Sequence, residues 1–145
     1  MGTFSKIGEE RSVKQKNDDV LLLHAMLLMA GADGTLERRE LATVEAFLST
    51  LPEFQDKDFG ALIEHANKVI SRYGGDLEES VNSLREIESV AVRQKCFLLA
   101  ADVAMSSGDV NEPEERMLAL MQEVLDIDDA VADRILEVLA LKYAQ

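Results

Sequence analysis

Asp33 and Glu40 stand in the stretch AGADGTLERRE, residues 30–40, with Gly34, Thr35 and Glu37 between them. Carboxylate and carbonyl oxygens on either side of a glycine turn are donors suited to a hard divalent cation such as calcium. A twelve-residue calcium loop takes oxygens from positions 1, 3, 5, 7, 9 and 12 and needs glycine at 6. With Gly34 at position 6, Asp33 falls at 5, Thr35 at 7, the apolar Leu36 at 8, Glu37 at 9 and Glu40 at 12. Positions 1 and 3 fall on Met29 and Gly31, which bring no side-chain oxygen, so only the back half of such a loop is present. The stretch SSGDVNEPEE, residues 106–115, repeats the frame with Ser107 at 5, Gly108 at 6, Asp109 at 7, Val110 at 8, Asn111 at 9 and Glu114 at 12. Its early positions, Val103 and Met105, are again apolar. The expected metal set is Asp33, Glu40, Asp109 and Glu114, with Glu37 in support. One half falls short of the six to eight oxygens calcium prefers, so a site needs both halves brought together.

Each feature also has a plainer reading. Asp-Gly makes a tight turn, and acids in a first helical turn complement the positive end of the helix dipole. Asn111 and Glu114 have capping-box spacing, with Pro113 near the helix start. Asp102 sits within an apolar run five residues before Ser107, and a buried acid needs a cationic partner or an ion. His24 lies inside another apolar run, where a core histidine with one hydrogen bond is the ordinary case. Cys96 opens CFLLAA, which suits a buried, inert thiol better than a nucleophile, although Arg93 and Lys95 are close in sequence. No Ser/His/Asp set and no phosphate-cradling glycine loop is present, so the chain is not expected to be an enzyme.

The elements that must position these residues are helices. From Asp18 onward the apolar spacing is helical and no alternating β-branched stretch argues for a strand. Seven helices are predicted at about 18–32, 37–50, 53–73, 76–87, 89–106, 112–126 and 128–143. Asp33-Gly34, Pro52, Gly74-Gly75, Gly108 and Pro113 punctuate them. Leu41, Val44, Leu48 and Leu51 mark one amphipathic face, and Val131, Ile135, Val138 and Leu139 another. The first and fifth helices are apolar nearly all round and belong in the middle. The repeat is thus a buried helix, a glycine turn and an amphipathic helix, used twice. Residues 1–17 read as a loose polar leader ahead of one all-α domain at 18–145.

The chain has 145 residues, enough for one core, with 28 acidic against 15 basic residues and a formal charge of −13. Such a surface repels a phosphate backbone and attracts cations or basic protein surfaces, which argues against nucleic-acid binding. A single cysteine makes no internal disulfide and fits the cytoplasm. The apolar run VLLLHAMLLMAGA at 20–32 is too short to cross a bilayer, so no membrane insertion is expected.

An acidic seven-helix domain with ADGTLERREL after one buried helix and SGDVNEPEERML after another resembles the TerB-like tellurite-resistance family. The family pattern of Ala-Asp-Gly, one residue, an aliphatic, three residues and Glu is intact from Ala32 to Glu40. In the second copy Ser106 and Ser107 replace Ala and Asp, while Gly108, Val110 and Glu114 remain. The resemblance implies an all-helical domain, an acidic cluster that takes a divalent metal, and cytoplasmic work with protein partners in membrane-associated stress-response complexes. It implies no catalytic reaction. The competing expectations are a structural scaffold whose acids only cap helices and, more remotely, a reductase acting through Cys96.

Overall fold

The computed structural model describes residues 12–71 and 77–145. Among them the regular structure is entirely helical: α1 (Val13–Ala30), α2 (Arg38–Leu48), α3 (Phe59–Ser71), α4 (Leu77–Asn82), α5 (Val90–Met105), α6 (Glu112–Val124) and α7 (Asp129–Lys142). Short 3-10 turns occupy Pro52–Phe54 and Ser83–Glu86.

α1 and α5 form the centre because neither has a polar face along its inner length. Every residue of α1 from Leu21 to Ala30 is buried, and α5 buries Cys96, Phe97, Leu99, Ala100, Ala101, Val103 and Ala104. The two helices make the most extensive contact in the molecule; α2 and α3 pack on α1, and α6 and α7 on α5. The outer helices bury single stripes, such as Val44 and Leu48 on α2 or Met117, Met121 and Val124 on α6. Met26 and Met29 are fully buried in the core, whereas Met105 is only half-buried.

Three differences from the sequence expectations have local causes. α1 starts at Val13, so residues 13–17 are its exposed first turns and not leader. Ser12 accepts from the Gln15 N–H at 3.1 Å while Gln15 accepts from the Ser12 N–H at 2.9 Å, a reciprocal cap that starts a helix without any buried apolar residue. The third helix starts at Phe59 instead of 53, because the turn after Pro52–Phe54 puts Asp56 at φ 61°, outside helical geometry. On α7 the inward stripe runs through Ala132 and Leu139 with Ile135 half-buried, and Val138 is 57% exposed. The leader expected at residues 1–11 and the Gly74-Gly75 turn lie outside the described residues. No helix among the described residues is long and apolar enough to cross a membrane.

Candidate functional site

The two glycine turns are built alike. Gly34 has φ 98° and Gly108 φ 99°, left-handed values that a side chain disfavours. In the first turn the Gly34 N–H donates to the Gly31 carbonyl at 2.9 Å, and in the second the Gly108 N–H donates to that of Met105 at 3.1 Å. Asp33 Oδ1 accepts from both the backbone N–H and the hydroxyl of Thr35, at 3.1 and 3.2 Å, which closes the first turn locally. Ser107, at the matching place, donates instead to the Ala104 and Asp109 carbonyls.

Both following helices then open in the same way. Glu40 Oε1 accepts from the Glu37 N–H at 2.9 Å, and Glu114 Oε1 accepts from the Asn111 N–H at 3.0 Å. Asn111 Oδ1 in turn accepts from the Glu114 N–H at 2.9 Å. The caps hold one oxygen of each glutamate and leave the other outside the capping bond. The helix-cap and cation-ligand readings of these glutamates are therefore compatible, since the cap fixes where the carboxylate stands.

The packing of α1 along α5, start to start and end to end, brings both turns onto one cleft of about 380 Å³. Asp33, Glu37, Glu40, Arg39 and Thr43 line it from the first copy, and Ser106, Ser107, Asn111 and Glu114 from the second. Ala30 and Val103, both 6% exposed, form its apolar floor. Of the expected ligands, Asp33, Glu40, Glu114 and the supporting Glu37 meet here, while Asp109 does not line the cleft. The carboxylates feel one another: burial pushes the Glu114 carboxyl above the ordinary range, the Asn111 N–H opposes that, and Glu40 and Asp33 add to it. Arg39 is 88% exposed at the side chain, and its guanidinium lies 4.0 Å from Glu37. Among the described residues, no three His, Cys, Asp or Glu side chains stand close enough to hold a metal ion as they are placed. Thr43 and Arg39 were not singled out in the sequence, although Thr43 follows Glu40 by three residues on the same helical face.

Asp102 is turned elsewhere. Its Oδ2 and Oδ1 accept from Lys142 Nζ at 2.8 and 3.1 Å, and Oδ1 also accepts from the Tyr143 hydroxyl. The cationic partner is thus the one found for this half-buried acid. His24 is fully buried and donates from Nε2 to the Ser80 carbonyl at 2.9 Å, and burial lowers its pKa. Cys96 is likewise fully buried and its thiol is pushed up to about 12, chiefly by burial, with Asp18 adding to the effect. A thiol held protonated in the core is the opposite of an activated nucleophile.

Comparison with known proteins agrees with this architecture. No curated protein and no solved structure matches the chain. A family model described as tellurite resistance protein TerB matches residues 20–137, a span that contains both turns, both capping glutamates, all of α5 and the buried part of α1 from Leu21 on. An all-helical chain matched over that length belongs to the TerB family.

Proposed function

We propose that this chain is a non-enzymatic TerB-family interaction module whose two half loops share one weakly held divalent cation, calcium being the first ion to test. The observation that carries the reading is that Asp33, Glu40 and Glu114 line one cleft, where burial chiefly, and the Glu40 and Asp33 charges in addition, raise the proton affinity of Glu114. An excess of negative charge at one place is relieved by a cation as well as by a proton. The donor set is all oxygen: three carboxylates, the Glu37 carboxylate at the side, and the Ser107 hydroxyl and Asn111 amide of the second turn. Hard oxygen donors suit calcium or magnesium, and the remaining coordination of either ion is ordinarily filled by water. Binding requires the carboxylates to draw together, which joins the N-terminal end of α2 to that of α6. A cation-dependent change in the surface around the cleft would give a protein partner something to read. In this reading the module works in the cytoplasm with partners of the stress-response machinery.

A second reading, in which the acids only cap their helices, is favoured by the capping bonds of Glu40 and Glu114 themselves. Thermal melting separates the two. At a free calcium concentration about 100 times the dissociation constant, the added stability is about 2.7 kcal/mol. For a chain of this size that corresponds to a rise in Tm of about 5 to 11 °C. Because any salt screens a charge of −13, NaCl at matched ionic strength is the control, together with Asp133→Asn/Glu137→Gln on the exposed face of α7. The cation reading expects the calcium shift to exceed the NaCl shift and to vanish in Asp33→Asn/Glu40→Gln. A shift that survives those substitutions, or that never exceeds the NaCl shift, leaves the capped turns as the whole account.

A further inference from the structure

Lys142, at the end of α7, bridges two helices that both run along the cleft. Its Nζ pairs with Asp102 of α5 at 2.8 Å and lies 5.0 Å from the centroid of the Phe47 ring on α2. The same Nζ lies 5.1 Å from the ring of Tyr143, whose hydroxyl also holds Asp102. The register of these contacts is specific. On α2, Phe47 lies one helical turn beyond Thr43, a residue of the cleft wall, with Glu40 a further turn back. On α5, which approaches the cleft from below, Asp102 lies one turn before Ser106 and next to Val103, both cleft residues. The bridge therefore closes α2 against α5 one turn beneath the cleft floor. Asp102 exposes 14% of its side chain and Lys142 49%, so the pair is partly withdrawn from solvent.

From this juxtaposition we infer that Lys142 is a positioning residue for the cleft: by tying Asp102 to the Phe47 ring it fixes the spacing of α2 and α5, and with it the gap between Glu40 and Glu114. The inference rests on the cation reading above and extends it to a residue that touches no ligand. α2 is seated on α1, while α5 is held by α1, α6 and α7. A lever at the far end of α7 thus reaches the wall that carries Asp33, Glu37 and Glu40. A cation over an aromatic face and a charge-assisted pair both keep their geometry better than an apolar contact, because each is directional.

The test is calcium titration of the full chain by calorimetry in 0.15 M NaCl, at a temperature where each variant is shown by circular dichroism to be folded. Lys142→Met removes the cation and leaves the stem. It also makes the protein more negative, which by charge alone would tighten calcium binding. Phe47→Leu removes the ring without changing charge. Lys142→Arg can pair with Asp102 and lie over the ring. The expected result is affinity weakened about three- to tenfold in both Lys142→Met and Phe47→Leu, and retained in Lys142→Arg. A merely structural bridge would lower Tm in the first two variants and leave the binding isotherm of the folded protein unmoved. If wild-type protein binds calcium and the Met and Leu variants bind it equally well, the positioning role is overturned and the cation reading stands. If wild-type protein takes up no calcium, the cation reading fails and the positioning role falls with it.

Discussion

Glu40 and Glu114 are structural equivalents: each is the third residue of its helix, each returns one carboxylate oxygen to the backbone N–H three residues earlier, and both face the same cleft. They differ in the residue that caps the helix, Glu37 in the first copy and Asn111 in the second. Asn111 has a side-chain oxygen that accepts from the Glu114 N–H, so that box is locked from both sides by a strong cap residue.

That difference separates the two roles of Glu114. Glu114→Ala removes the bond to the Asn111 N–H and should cost about 0.5–2 kcal/mol in urea denaturation. Glu114→Gln keeps a capping-box acceptor and should stay within about 0.5 kcal/mol of wild type at neutral pH, while abolishing the calcium-specific Tm shift. The pH dependence has a definite sign. The folded-state pKa of Glu114 is raised, so its ionisation opposes folding. This penalty is fully present above the raised value and disappears as pH falls below the ordinary carboxylate range. The Gln variant should lack that component of the profile. A large loss of stability in the Gln variant at neutral pH would refute this division of roles.

The glycines of the two turns should be irreplaceable for backbone reasons alone. A methyl group added at Gly34 or Gly108 meets nothing within 4 Å, yet both residues hold positive φ. Gly34→Ala and Gly108→Ala should each lower stability by about 1–2 kcal/mol through strain and not through collision. Gly31→Ala, where φ is −101° and an added Cβ approaches nothing closer than 3.5 Å, should be tolerated. Equal costs at all three sites would mean that packing, not conformation, is what the turns require.

His24 should make the fold acid-sensitive. Burial lowers its folded-state pKa below the ordinary 6.5, so the unfolded chain takes up a proton first. Its contribution is complete above the unfolded value and is lost as pH falls through it, at up to about 1.4 kcal/mol per pH unit. Urea titrations between pH 7 and 5 should show this slope in wild type and a shallower one in His24→Gln. Equal slopes would assign the acid sensitivity to other groups.

Cys96 should resist modification. A bulky maleimide should label the native protein at a rate set by opening of the core and label the urea-unfolded chain at once, because the thiol is fully buried and pushed up to about 12. Fast native labelling would place the thiol at the surface and revive redox chemistry.

The fold was legible from the sequence wherever one helix carries its own signal. A run from Leu21 to Ala30 that is apolar at every position but His24 can satisfy its surroundings only in the middle of a bundle, and paired glycines with paired glutamates disclosed the duplication. The start of α1 was missed because Ser12 and Gln15 bond to backbone and not to core, a signal that apolar spacing cannot register. The candidate site was legible in its composition but not in its assembly. Nothing within either half loop states that Glu40 and Glu114 meet, or that Asp109 stays out of the cleft. The bond from Lys142 to Asp102 spans 40 residues, and only the packing of α7 on α5 creates it. Local chemistry was readable; distances between helices were set by the whole core.

The all-round apolar character of α1 also bears on how the chain is made. α2 and α3 follow it and cover part of its surface, but α5, its principal neighbour, starts at Val90, about 60 residues after α1 ends at Ala30. At a synthesis rate of about 5–20 residues per second, a finished apolar helix waits about 3–12 seconds for the helix that shields it. During that interval the nascent chain presents greasy surface on the ribosome, and its yield in the cell should follow the supply of chaperones that hold such segments more closely than it follows the stability of the finished bundle.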